Sequence, residues 1–96
     1  MLNKTILVGK IANDLEDKEN QIITLAVPKS TKNEEGIYET DFIPVIINGG
    51  ISTNTYKYCH KGDTCGVQGR LIMQDDKINI IAEKISFLSS KKEGEE

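Results

Sequence analysis

The sequence has no tryptophan, two prolines, two cysteines, one histidine and, at position 70, a single arginine. Each shortage closes a route. A zinc centre takes four protein ligands, or three and a water, at recognisable spacing, and Cys59, His60 and Cys65 do not supply it. A disulfide is possible by count, but the two cysteines are expected to stay reduced and half-buried, as free thiols in a cytosolic setting do. The longest apolar run, Phe42 to Ile47, is interrupted by Pro44 and falls far short of a bilayer's thickness. Residues 1–12 have no secretory organisation: Lys4 and Lys10 bracket a short apolar stretch with no small-residue cleavage site after it. The expectation is a cytoplasmic protein with no membrane partner. Excess positive charge is missing too. Twelve Lys and Arg against fifteen Asp and Glu leave a net charge of −3, so any polyanion site has to be a local groove.

What is present is a 96-residue chain, 38% hydrophobic and 28% charged, enough for one small core and no more. β-rich runs dominate it: Leu2 to Ala12, Ile22 to Val27, Tyr38 to Ile47, Thr64 to Met73 and Lys77 to Phe87. Turn chemistry separates them at Asn13-Asp14, Pro28, Asn33-Glu34-Glu35-Gly36, Asn48-Gly49-Gly50, Lys61-Gly62-Asp63 and Gln74-Asp75-Asp76. Ser52 to His60 breaks the pattern. Thr55, Tyr58 and Cys59 recur there at helical spacing, Ser52 or Thr53 can cap, and Gly62 lies just past the end, so a short helix is predicted.

Alternation assigns faces. In the fourth run Val67, Gly69, Leu71 and Met73 point inward and Gln68 and Arg70 outward; in the third, Ile43, Val45 and Ile47 form the core set, leaving Tyr38, Thr40, Phe42, Pro44 and Ile46 on the other face. Ile6, Leu7 and Val8 are consecutive, so both faces of the first strand want cover, and a second subunit would supply it: a homo-oligomer involving the first strand. Five strands with one helix between the third and fourth is the order of an OB-fold, an all-β Greek-key barrel. It is assigned to residues 1–90, with 91–96 as a short disordered charged tail.

Particular residues carry more than this order does. Met1-Leu2-Asn3-Lys4-Thr5-Ile6-Leu7-Val8-Gly9-Lys10, Thr24-Leu25-Ala26-Val27, Lys32-Asn33 leading to Asp41-Phe42-Ile43-Pro44-Val45, Tyr58 with Lys61-Gly62, Val67-Gln68-Gly69-Arg70-Leu71, and Ile81-Ala82-Glu83 with Phe87-Leu88 follow one another in sequence. Together they resemble the bacterial single-stranded DNA-binding (SSB) family over most of residues 1–90. The resemblance implies a homo-oligomeric barrel, a tetramer or in some relatives a dimer, that wraps single-stranded DNA without catalysis, in replication, recombination or mobile-element transfer, and without a cofactor. In such a groove cationic side chains follow the phosphates and rings stack on bases, each stack being worth about 1–3 kcal/mol.

The chain also departs from that family. Of four customary aromatic positions only Phe42 keeps its ring: Thr31 and Asn48 stand at two, and the hairpin that usually carries another is cut to Gln74-Asp75-Asp76. The segment from Asn13 to Gln21 is short and acidic. The last residues, Lys91-Lys92-Glu93-Gly94-Glu95-Glu96, lack the acidic Pro-Phe tip through which relatives recruit enzymes, so recruitment of that kind is not expected.

The candidate nucleic-acid-binding residues are Lys10, Lys29, Lys32, Tyr38, Phe42 and Arg70. Phe42 is the ring expected to stack, with packing under the 31–37 loop as the ordinary alternative; Tyr38 shares its face. Lys29 and Lys32 flank a Ser-Thr turn in the loop before the third strand, Lys10 ends the first strand, and Arg70 alternates outward. Four phosphate contacts would give a log K against log salt slope of about −2.8, at about −0.7 each for single strands. Glu34, Glu35, Glu39 and Asp41 would weaken any site they faced. Asp75-Asp76 reads as a solvated tip and His60 has no arranged nucleophile, so an enzyme is not expected and no catalytic residue is assigned. The competing reading is a degenerate barrel serving as an assembly module that has lost DNA binding.

Overall fold

The structure, a computed structural model, describes residues 1–88. The tail expected at 91–96, and the last two residues of the expected domain, lie outside the described residues. In chain order the elements are β1 (Thr5–Ile11), β2 (Asn20–Lys32), β3 (Tyr38–Asn48), α1 (Gly49–Tyr58), β4 (Thr64–Gln74) and β5 (Lys77–Phe87). The five strands close into one barrel in the order β1-β2-β3-β5-β4, with the helix between β3 and β4 as the element order requires for an OB-fold.

Closure is uneven. β1, β4 and β5 form a three-stranded antiparallel sheet, and β2 and β3 form a long hairpin. Two short seams join them: Lys10↔Ala26 and Ile11↔Leu25 between β1 and β2, and the parallel pairs Val45↔Ile80 and Ile46↔Ile81 between β3 and β5. Glycine makes the tight turns of the wall possible. A Cβ on Gly9 would come within 2.6 Å of the Ala26 carbonyl oxygen, and one on Gly69 would strike the Ile81 carbonyl, beside the register shift between Gln68 and Gly69. The core comprises Ile11, Ile23, Leu25, Val45, Ile47, Cys59, Cys65, Val67 and Ala82.

Alternation is right where the strands enclose the core and uninformative where they leave it. Val45, Ile47 and Val67 are buried as expected, whereas Leu71 and Met73 hold the same parity but lie on the projecting end of β4 and are exposed. β2 runs to Lys32, five residues beyond the predicted end at Val27. Pro28 does not stop it, because it stands next to the register shift between Pro28 and Lys32 on a stretch that β1 no longer covers, the two settings in which a sheet accepts proline.

The helix begins at Gly49, earlier than predicted, with Asn48 as its cap residue and no side-chain cap bond. Ser52 is not a cap. It is fully buried, donates to the Lys18 carbonyl (2.6 Å) and accepts from Gln21 Nε2 (2.9 Å), tying the helix to the β1–β2 connection. Thr55 returns its hydroxyl to the Ile51 carbonyl, as buried helical threonines do. Tyr58, expected on the inner stripe, is 56% exposed; its ring meets Phe87 at 6.0 Å between centroids. Cys59 and Cys65 are free and fully buried, deeper than expected. Burial pushes both thiols up to about 11, with Cys65 and Asp63 adding to it at Cys59 and Asp63 at Cys65. Among the described residues no helix is long and apolar enough to cross a membrane.

Candidate nucleic-acid interface

On the β2–β3 hairpin the odd residues of β3 face the core and the even ones face out. Directly paired residues share a face, so register converts this into rows across the barrel's exterior. One row runs Thr64, Lys10, Ala26, Phe42 through β4, β1, β2 and β3. Phe42 is 63% exposed, so it is not packed under the loop, and only the small Ala26 separates its position from that of Lys10. Four residues along β3, about 13 Å at 3.3 Å per residue, Tyr38 stands on the same face and pairs with Lys32. The Lys32 ammonium lies 5.5 Å from the Tyr38 ring centroid, a cation–π distance. Pro28 and Thr40 occupy the interval between the two rings. The result is a strip with exposed aromatic rings at two points, Tyr38 with the Lys32 ammonium over it and Phe42 in one row with Lys10 two strands away.

The other two candidates are placed differently. Lys29 lies in β2, not in a loop, and its ammonium bonds the Asp41 carboxylate at 2.6 Å, which raises its pKa above the ordinary 10.5. Asp41 belongs to the odd set of β3, so this pair is on the opposite side of the hairpin from Phe42. Arg70 does face outward, in a second row running Ile22, Ile46, Ile81, Arg70 across β2, β3, β5 and β4. Its Nε lies 3.1 Å from Glu83 Oε2, while Glu83 Oε1 is 3.5 Å from the Lys4 ammonium. Among the described residues Lys10 and Lys32 enter no ion pair.

The second row escaped the sequence reading. Its signal was the doublets Ile22-Ile23, Ile46-Ile47 and Ile80-Ile81, in which one member has to face away from the core. Ile22 remains 54% exposed, giving an apolar track against which a flat group can lie. Past that end the surface changes sign: an open depression lined by Asn13, Asp14, Glu16, Lys18, Asn20, Gln21, Ile22, Ile46 and Asn48 borders it. Asp14 and Glu16 make this end unfavourable for phosphate. A polyanion is therefore best accommodated from the Tyr38–Lys32 end to the Phe42–Lys10 row.

A closed OB barrel with an exposed ring-and-cation strip on its β2–β3 exterior is the class this geometry defines. A profile described as the single-strand binding protein family matches residues 2–88, and the chain belongs to that family. It is 36% identical to single-stranded DNA-binding protein 1 of Staphylococcus aureus (strain Mu50) over 106 residues, covering 95% of this chain and 68% of that one. It is 32% identical to single-stranded DNA-binding protein 1 of Clostridium acetobutylicum over 108 residues, covering 96% and 98% of the two. Both alignments are longer than this chain's 96 residues, so these relatives carry extra residues inside the matched region, as the shortened turns suggest. The fold matches the crystal structure of a small single-stranded DNA-binding protein from Streptomyces coelicolor, with a TM-score of 0.65 at 24% identity over 92% of this chain and 95% of that one.

Proposed function

We propose that this chain binds single-stranded DNA with little sequence preference, as a homo-oligomeric OB-fold protein without catalytic activity, in replication, recombination or mobile-element transfer. The observation that carries the reading is the exposed Phe42 in one transverse row with Lys10, continued along β3 by Tyr38 under Lys32. Rings stack on any base, since every base has a π-face, and cations beside them track phosphates without reading sequence. Family membership and the names of the relatives support the same reading. Lys10, Lys32, Tyr38 and Phe42 form the centre of the proposed site; Lys29 and Arg70 contribute from its margins. Residues 1–90 act as the binding domain.

Assembly is proposed through β1. Thr5–Gly9 of that strand pair with β4 on one edge, and β2 joins the other edge only at Lys10 and Ile11. Beside this open edge Ile6 is 74% exposed and Val8 is 52% exposed. An open edge next to an apolar face is what a second copy covers.

Titration of an end-labelled oligo-dT at low and moderate salt tests the function, the label being placed on the DNA because the protein has no tryptophan. Saturable binding at micromolar protein in low salt, weakening as salt rises, is the expected result. No binding at low salt leaves an assembly role as the better account.

A further inference from the structure

The remaining unexplained pattern is that two of the site's cations are already engaged. Lys29 is held by Asp41 at 2.6 Å, and Arg70 by Glu83 at 3.1 Å, Glu83 using its second oxygen on Lys4. All five side chains are on the surface, between 39% and 54% exposed, so no desolvation locks these pairs. Exposed pairs of this kind are weak and screened by salt, well within what a phosphate can displace. Asp41 neighbours Phe42 in sequence, and Glu83 lies two residues beyond Ile81 of the apolar row. Glu83 thus borders the outer apolar row, whereas Asp41 and Lys29 lie on the other face of the projecting hairpin, where a strand meets them as it wraps the hairpin's edge.

We propose that Asp41 and Glu83 act as internal competitors of DNA phosphate, holding Lys29 and Arg70 in reserve and thereby setting the affinity and salt dependence of the site. This rests on the reading of the chain as a single-stranded DNA-binding protein. When a phosphate takes Lys29 or Arg70, the carboxylate left behind recovers its own counterion from solution, offsetting the counterion that the phosphate releases. The log K against log salt slope then reflects chiefly Lys10 and Lys32: about −1.4 at −0.7 per contact, in place of about −2.8 for four free cations. Strands bind by exchange of partners, and the protein remains releasable in spite of its cations.

The test compares the full chain with Asp41→Asn, Glu83→Gln, the double variant and Asp17→Asn. The last makes the same change in net charge at an exposed position on the β1–β2 connection. Each is titrated with labelled oligo-dT over a salt series, after circular dichroism has confirmed folding. Asp41→Asn and Glu83→Gln should each bind about two- to five-fold more tightly at low salt, with Asp17→Asn nearer to the parent. The slope should steepen from about −1.4 towards −2.8 in the double variant. Unchanged or weaker binding by Asp41→Asn and Glu83→Gln, in a parent that binds DNA, overturns the inference and leaves the function standing; it would mean that the carboxylates position their cations. An equal gain in Asp17→Asn also overturns it, reducing the effect to net charge. No binding by any of the five proteins overturns the function and the inference together.

Discussion

Phe42 is the residue on which the proposed interface depends most, and its replacement tests it. Phe42→Ala should weaken oligo-dT binding by about 1–3 kcal/mol, roughly 5- to 150-fold, if its ring stacks on a base. The side chain is exposed, so the melting temperature should hardly move; unchanged affinity in that folded variant would remove Phe42 from the site. In the proposed site Lys10, with no carboxylate partner among the described residues, offers its full charge to phosphate. Lys10→Ala should make the salt slope shallower by about 0.7, read from the same titrations. The exposure of Phe42 was legible from alternation, because the even residues of β3 oppose an apolar odd set. The engagement of Lys29 and Arg70 was not. Asp41 and Glu83 meet their partners across strands, and pairing across strands depends on register, which the turns and bulges fix and which no single segment displays.

At the scale of the elements, the β4–β5 hairpin turns on Asp75 and Asp76, both in the left-handed region at φ of 51° and 62°. Gln74 pairs with Lys77 across them, so this is a two-residue turn of the type that favours Asn-Gly or Asp-Gly. Left-handed backbone costs an ordinary residue about 1–2 kcal/mol and aspartate less. Asp76→Gly should therefore stabilise the fold by about 0.5–1 kcal/mol, raising the melting temperature by a few degrees in thermal denaturation, with no change in DNA affinity. The position of this turn, like the number of strands, was readable because short polar turns interrupt apolar runs. Two boundaries were not. Pro28 reads as a stop in the chain yet is accommodated at an uncovered edge, and Gly49-Gly50 reads as a turn yet opens the helix. In both cases the deciding fact is which neighbouring strand is present, and that is tertiary.

For the whole molecule, two properties follow from how the core and the outer wall are built. The core carries two thiols that burial raises from near 9 to about 11. Across that interval the unfolded chain loses the two protons while the folded chain keeps them. Stability should thus be fully present below about pH 9 and fall as pH rises towards 11, by up to about 1.4 kcal/mol per pH unit for each thiol. Urea midpoints from pH 7 to 11 measure this, and Cys65→Ala, compared with its own value at pH 7, should show a shallower decline. The outer wall leaves Ile6 and Val8 exposed beside the open edge of β1. Ile6→Glu should lower the mass measured by light scattering while leaving the circular dichroism spectrum of the barrel intact; an unchanged mass would move the subunit contact elsewhere.

The uneven closure of the barrel has a consequence for motion. A sheet of three strands and a hairpin of two are clasped along β3 and β5 by two residue pairs alone, Val45↔Ile80 and Ile46↔Ile81. Such a clasp breathes before the hairpins fray, so amide deuteration should reach the β5 amide that bonds β3, at Ile80 or Ile81, sooner than the interior of the β2–β3 ladder. Ile46 and Ile81 are also successive members of the outer apolar row. A strand lying over them would span the clasp like a suture, and its arrival should slow deuteration there even though it touches the barrel only from outside.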